Sequence, residues 1–321
     1  MAISRREFIE NSLKLAAAST ISGPSFADPI ESLLPAAWSN DIPPLFCTAY
    51  IDPTLAPQMG QEEIVAKYPL ALVPQNSGLA FRRWRDKIRQ LNPSIKLLAY
   101  QMVIEETTVP GPGHDIVRKI NNNNVWATYP GGIISTVTWD QKPHRVYDPR
   151  STIWQDAFLD ACATTYHNYP YDGLLLDNCT VYTMAALLPS IRSEMLAALS
   201  EVLVQLRKRL PQAIIIGNSS TRFPALNGSM NENRPKDLTA EATVTIQHPP
   251  IFNLSQLITD SRNPDNSLVK SSLEIALSNQ FFFGVAAPNY QTAFWSPLFD
   301  QVVTAYNSPS AVKSFLVNPN Q

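Results

Sequence analysis

The segment Tyr171-Asp172-Gly173-Leu174-Leu175-Leu176-Asp177-Asn178-Cys179 runs from one carboxylate through a short apolar stretch into a second carboxylate and an amide. A strand that is apolar on both faces belongs in a parallel sheet covered by helices, and polar groups at its C-terminal end are where such folds carry chemistry. At about 3.3 Å per residue, Asp172 and Asp177 lie roughly 16 Å apart. Asp172 is therefore read as a turn residue at the bottom of the strand and Asp177 as the group available for chemistry. A second acid closes a second such segment, Leu226-Asn227-Gly228-Ser229-Met230-Asn231-Glu232. Hydrolysis of a glycosidic bond needs two carboxyl groups flanking the bond, one to protonate the leaving oxygen and one to act as nucleophile or as base for water. Asp177 and Glu232 fit that requirement, with either assignment of the two roles open from the residues alone. The competing readings are an aspartate that caps the next helix and an ordinary loop glutamate.

Other polar residues stand at expected strand ends. Asp52, Tyr100, Gln101, Asn178 and Asn218 are candidates to bind sugar hydroxyls, and His248, which follows Gln247, is a further candidate for contact with substrate. Trp126, Tyr129 and Trp139 lie in a polar stretch between Glu105 and Tyr147; they offer flat faces that either stack on sugars or anchor the loop. Alternative chemistries find little support. His114, His144 and His167 are isolated, and Cys47, Cys162 and Cys179 lack CxxC spacing, so neither a metal site nor a disulfide framework is expected. The GxSxG, GxxxxGK and GxGxxG fingerprints are missing, and no cofactor is expected.

The elements that must position these groups alternate. Strands are expected at Ile42 to Asp52, Tyr68 to Pro74, Ile95 to Val103, Tyr171 to Asp177, Ala213 to Ile216, Val244 to Gln247 and Phe281 to Val285, with a short strand or turn at Leu226 to Glu232. Helical spacing marks Phe81 to Leu91, a helix opened by Asp148-Pro149, Met184 to Leu210 and Leu268 to Ser278. Such an order predicts an α/β fold, a TIM-type (β/α)8 barrel in a single domain spanning 28–321.

Residues 1–27 are set apart from that domain. Ser4-Arg5-Arg6-Glu7-Phe8-Ile9, a weakly apolar stretch from Leu13 to Ile21 and Ser25-Phe26-Ala27 resemble a twin-arginine signal peptide. The resemblance implies passage through the twin-arginine translocase and a periplasmic or secreted product. No later segment has the apolar length of a membrane span, so no stable membrane insertion is expected. The formal net charge of −2 offers no basic field for nucleic acid.

Asn92-Pro93-Ser94-Ile95-Lys96-Leu97-Leu98-Ala99-Tyr100, Asp148-Pro149 before a Trp-containing helix, Tyr171-Asp172-Gly173 through Asp177, and Gly228-Ser229-Met230-Asn231-Glu232 resemble, in order, the blocks of glycosyl-hydrolase-like family 15. The resemblance covers about residues 45 to 300. It implies a TIM barrel with Asp177 at the end of the fourth strand and Glu232 near the sixth as catalytic pair, acting on a polysaccharide or oligosaccharide. Asp177-Asn178-Cys179 is also similar to the nucleophile strand of α-galactosidase-type retaining barrels. The sequence departs from the family at Trp295-Ser296-Pro297-Leu298-Phe299-Asp300, where Asp300 is the one acid left. Two rival expectations stand beside hydrolysis: a non-catalytic carbohydrate-binding or polysaccharide-export accessory protein on a degenerate barrel, and a cofactor enzyme of the kind that twin-arginine export often carries.

Overall fold

The computed structural model describes residues 42–49, 61–106, 111–120, 125–128, 136–139, 142–180, 189–218, 223–233, 252–259, 264–279, 281–286 and 293–307. Ten strands are described: β1 (Phe46–Thr48), β2 (Leu70–Val73), β3 (Lys96–Met102), β4 (Thr136–Trp139), β5 (Lys142–Arg145), β6 (Gly173–Asp177), β7 (Ile214–Asn218), β8 (Gly228–Asn233), β9 (Leu254–Ile258) and β10 (Phe282–Ala286). Eight of them form one parallel sheet in the order β1-β2-β3-β6-β7-β8-β9-β10. The two edges meet through a parallel bridge between Leu45 and Phe283, where the Phe283 N–H donates to the Pro44 carbonyl at 2.9 Å. The result is the expected α/β TIM-type barrel.

Helices cover its outer wall: α1 (Glu62–Val65), α2 (Leu79–Leu91), α3 (Pro112–Arg118), α4 (Thr152–Asn168), α5 (Pro189–Arg209), α6 (Asn266–Ser278) and α7 (Pro297–Tyr306). Local chemistry starts several of them. Ser151, Asp265 and Ser296 each accept a hydrogen bond from a backbone N–H in the first turn, and such caps contribute about 1 kcal/mol apiece. On α2 the residues Phe81, Trp84 and Ile88 form one buried apolar stripe at the spacing expected for a helix that packs on a sheet.

Side-chain alternation divides the strands between two cores. Cys47, Val73, Ala99, Leu176, Ile215 and Val285 pack outward beneath the helices. Phe46, Leu72, Leu98, Leu175, Ile216, Met230, Leu254 and Phe282 fill the barrel interior as a separate apolar plug. Two glycines let neighbouring chains approach at the lower rim. A Cβ at Gly173 would meet the Ile214 carbonyl oxygen at 1.8 Å, and one at Gly228 would meet that of Phe252 at 2.1 Å.

Asp172 closes the bottom of the wall. Its carboxylate accepts from the Leu97 N–H at 2.9 Å, from Arg89 at 2.7 Å and from Lys96 at 3.4 Å. Because the group is partly exposed, the expected cost of Asp172→Asn is about 1–2 kcal/mol of stability, with turnover per folded molecule unchanged. Urea unfolding checks the first part, and an unchanged midpoint would deny Asp172 this role.

Several elements differ from expectation. The wall strand between β8 and β10 is Leu254–Ile258; the expected strand Val244 to Gln247 lies outside the described residues. Ser255 and Gln256 interrupt the apolar run of β9, which hid it. The stretch from Glu105 to Tyr147 holds α3 and the β4–β5 hairpin. Within it Trp126 is 8% exposed, stacked on Tyr147 at 4.5 Å and covered by Arg145 at 4.1 Å. Its face is already occupied, so of the two roles weighed for it, Trp126 takes that of loop anchor. Tyr129 lies outside the described residues.

Candidate active site

Each wall strand carries its plug residue and then, two residues on, the next side chain on the interior face. Those positions are Thr48, Tyr100, Asp177, Asn218, Glu232 and Gln256, following Phe46, Leu98, Leu175, Ile216, Met230 and Leu254, with Pro74 following Leu72 on β2. Gly284 follows Phe282 in the same way. An apolar plug is thus topped by a polar ring at the C-terminal ends of the strands, the end where barrel enzymes keep their active sites.

Asp177 is the most tightly held member of the ring. Tyr100 Oη donates to its Oδ2 at 2.7 Å, while Asn218 Nδ2 at 2.7 Å and the Asn178 N–H at 2.8 Å donate to Oδ1. The last bond needs the chain to turn back on itself, and Asn178 does so with φ of 49°, a left-handed conformation that asparagine tolerates better than most residues. Asn178 Nδ2 lies 3.6 Å from Met102 Sδ. Donors from β3, β7 and the β6 turn therefore fix the carboxylate's rotation and aim it. Cys179, two residues on, is fully buried in the outer core, and burial followed by the Asp177 charge pushes its thiol well above the ordinary range. It stays a thiol and supplies no nucleophile.

Glu232 stands two strands away. Leu176 pairs with Gly217 and Asn218 pairs with Met230, so Glu232 lies one interior layer above the level of Asp177. Strand spacing and rise put the two Cα atoms about 12 Å apart along the wall. Side chains reaching inward from that separation can hold a sugar between them, since catalytic carboxyl pairs stand about 5 to 9.5 Å apart. Glu232 is partly exposed and in register with Gln256 of β9.

The structure brings Asp177, Tyr100, Asn178, Asn218 and Glu232 to one end of one barrel. Gln101 is a correction. It follows Tyr100 directly and so points to the opposite face, where it is fully buried among the helices and its Oε1 accepts from Gln75 and Thr165 at 3.1 Å each. Asp52 and His248 lie outside the described residues. Thr48 and Gln256 were missed; the signal that would have found them is the two-residue step beyond an apolar interior position.

Among the histidines, His114 on α3 is buried, and its Nε2 accepts the Met102 N–H at 3.0 Å, which places the ring proton on Nδ1. Its ring meets that of Tyr100 edge to face at 5.9 Å. The end of β3 is therefore braced by α3. Among the described residues, no group of three or more His, Cys, Asp or Glu is placed to hold a metal ion.

Tyr100→Phe removes one donor from Asp177 and leaves the ring packing in place. The expected result is a fall in kcat of about tenfold, some 1.4 kcal/mol, with KM and melting temperature near wild type. Unchanged kcat would mean that Asp177 needs no help from Tyr100.

No family model matches the sequence, and no curated protein matches it. Solved structures do resemble the fold. The glycoside hydrolase domain of PelA from Pseudomonas aeruginosa aligns with a TM-score of 0.53 at 13% identity, over 78% of this chain and 96% of that one. Ega3 of Aspergillus fumigatus, solved in complex with galactosamine, gives 0.50 at 11% identity over 81% and 97%. The α-galactosidase TtGalA of Thermus thermophilus, in complex with stachyose, gives 0.55 at 12% identity over 87% and 68%. The chain is thus similar in fold to glycoside hydrolase barrels, and at these identities the likeness concerns the fold alone.

Proposed function

We propose that the protein is a glycoside hydrolase of the glycosyl-hydrolase-like family 15 type, acting on an extracellular or envelope polysaccharide. The observation that carries this reading is the polar ring itself. A carboxylate immobilised by three donors stands one layer below a second, partly exposed carboxylate at the C-terminal end of a barrel.

In this mechanism Glu232 protonates the glycosidic oxygen as the bond to the anomeric carbon lengthens. Asp177 attacks the opposite face of that carbon, and Tyr100 and Asn218 keep its lone pair aligned. The leaving sugar departs, and Glu232, now a carboxylate, takes a proton from water, which displaces Asp177 and returns the acid to its starting state. Asp177 as nucleophile makes the enzyme a retaining one. The sugar is left for the assay to identify, and galactosamine and galactose polymers are included in it alongside others because Ega3 was solved with galactosamine and TtGalA is an α-galactosidase.

Reducing-end release by the purified protein across a polysaccharide panel tests the activity. Release from one polymer by wild type, lost in the Asp177→Asn and Glu232→Gln double variant, is expected. Tight polymer binding with no release would favour the non-catalytic accessory protein. The proposal also places the protein outside the cytoplasm, delivered by the twin-arginine translocase. Replacing Arg5 and Arg6 with Lys should leave the precursor in the cytoplasm, and undiminished processed protein outside it would refute that route.

A further inference from the structure

One side chain of the polar ring has an unmatched end. Gln256 is in register with Glu232 on one side and with Gly284 on the other. Gly284 presents nothing to the lumen, and a Cβ there would meet the Phe46 carbonyl oxygen at 2.7 Å. Gln256 therefore passes in front of β10, and its Nε2 donates to Thr48 Oγ1 on β1. The opposite end of the amide, Oε1, is buried without a hydrogen-bond partner.

A buried amide oxygen without a partner is unfavourable, and an apolar side chain of the same length would avoid the penalty. Exchanging the oxygen and nitrogen of the amide, with the Thr48 hydroxyl donating, would leave N–H groups open instead, so one end stays unmatched in either orientation. The neighbour in register, Glu232, is partly exposed, so the open end lies one strand from a wall that solvent reaches. A sugar hydroxyl both donates and accepts, and matches either orientation of the amide.

We propose that Gln256 is a specificity-determining residue, its amide receiving one hydroxyl of the sugar held between Asp177 and Glu232. The inference rests on the glycosidase reading of that site. The test is binding of D-galactosamine, D-galactose and D-glucose to the full protein by titration calorimetry, for wild type and Gln256→Met, with melting temperatures measured alongside. Wild type should bind at least one of the sugars. Gln256→Met should bind it at least tenfold more weakly while melting at the same temperature or higher, because a purely structural glutamine would give the opposite pattern, lower melting with binding retained. Thr48→Val, which removes the amide's anchor, carries the same expectation for binding if Gln256→Met does not fold. Binding equal to wild type in the variant means that the open end serves only a buried water; the inference then fails while the site reading stands. Absence of binding to wild type overturns the inference, and the site reading falls with it if the polysaccharide panel also shows no release.

Discussion

Asp177→Asn is expected to lower kcat/KM by about 10⁴-fold or more, some 5.5 kcal/mol, and to leave the unfolding midpoint close to wild type. Both halves follow from the same contacts. An amide cannot form the glycosyl ester, so the covalent step is lost. Asparagine keeps the shape of aspartate, and its Oδ1 still accepts from Asn218 and from the Asn178 N–H at the places these donors now occupy. Its Nδ2 meets Tyr100 Oη, which can rotate its proton away and accept instead. No buried group is orphaned, so stability has little reason to change. Kinetics on the polymer found by the panel, with thermal melting of the same preparations, check the pair of expectations. A variant that melts normally and turns over normally would take the nucleophile's role from Asp177.

Glu232→Gln is expected to produce a loss that depends on the leaving group. General acid catalysis contributes about 10²–10⁴-fold when the departing oxygen is basic. A dinitrophenyl glycoside leaves without protonation, so its first step should be nearly as fast in the variant as in wild type, whereas the natural linkage should be cleaved about 10³-fold more slowly. Added azide, which needs no general base, should restore deglycosylation of the aryl glycoside. Equal losses on both substrates, without azide rescue, would mean that Glu232 acts by some route other than proton transfer.

The barrel was legible because both faces of its strands are covered. Leu174-Leu175-Leu176 and Ile214-Ile215-Ile216 read as apolar runs, and helices such as Phe81 to Leu91 announce themselves through helical spacing. Asp177 was legible because it ends such a run. The failures have the same origin. In a strand apolar on both sides, sequence does not mark which parity faces the lumen, so Tyr100 and Gln101 looked equivalent although only one of two neighbours can face inward. Leu98 in the plug and Ala99 under the helices resolve the matter. The strand β9 escaped because Ser255 and Gln256 make it look like a loop, and Gln256 is polar for the reason that Asp177 is: it belongs to the ring above the plug. Trp126 illustrates a separate limit, since an aromatic in a polar loop has the same local sequence whether its face is free for a sugar or already stacked on Tyr147.

The assignment of Asp177 as nucleophile, with Glu232 as its acid/base partner, is tested most directly by trapping. Incubation with 2-deoxy-2-fluorogalactosyl fluoride, or with the 2-fluoro analogue of whichever sugar the panel identifies, slows both steps through an oxocarbenium-like transition state and lets the glycosyl ester accumulate. Peptide mapping by mass spectrometry should then find one added sugar on the peptide containing Asp177, formed in wild type and absent from Asp177→Asn. An adduct on any other carboxylate, or steady turnover with inversion of the anomeric centre and no adduct, would contradict the account.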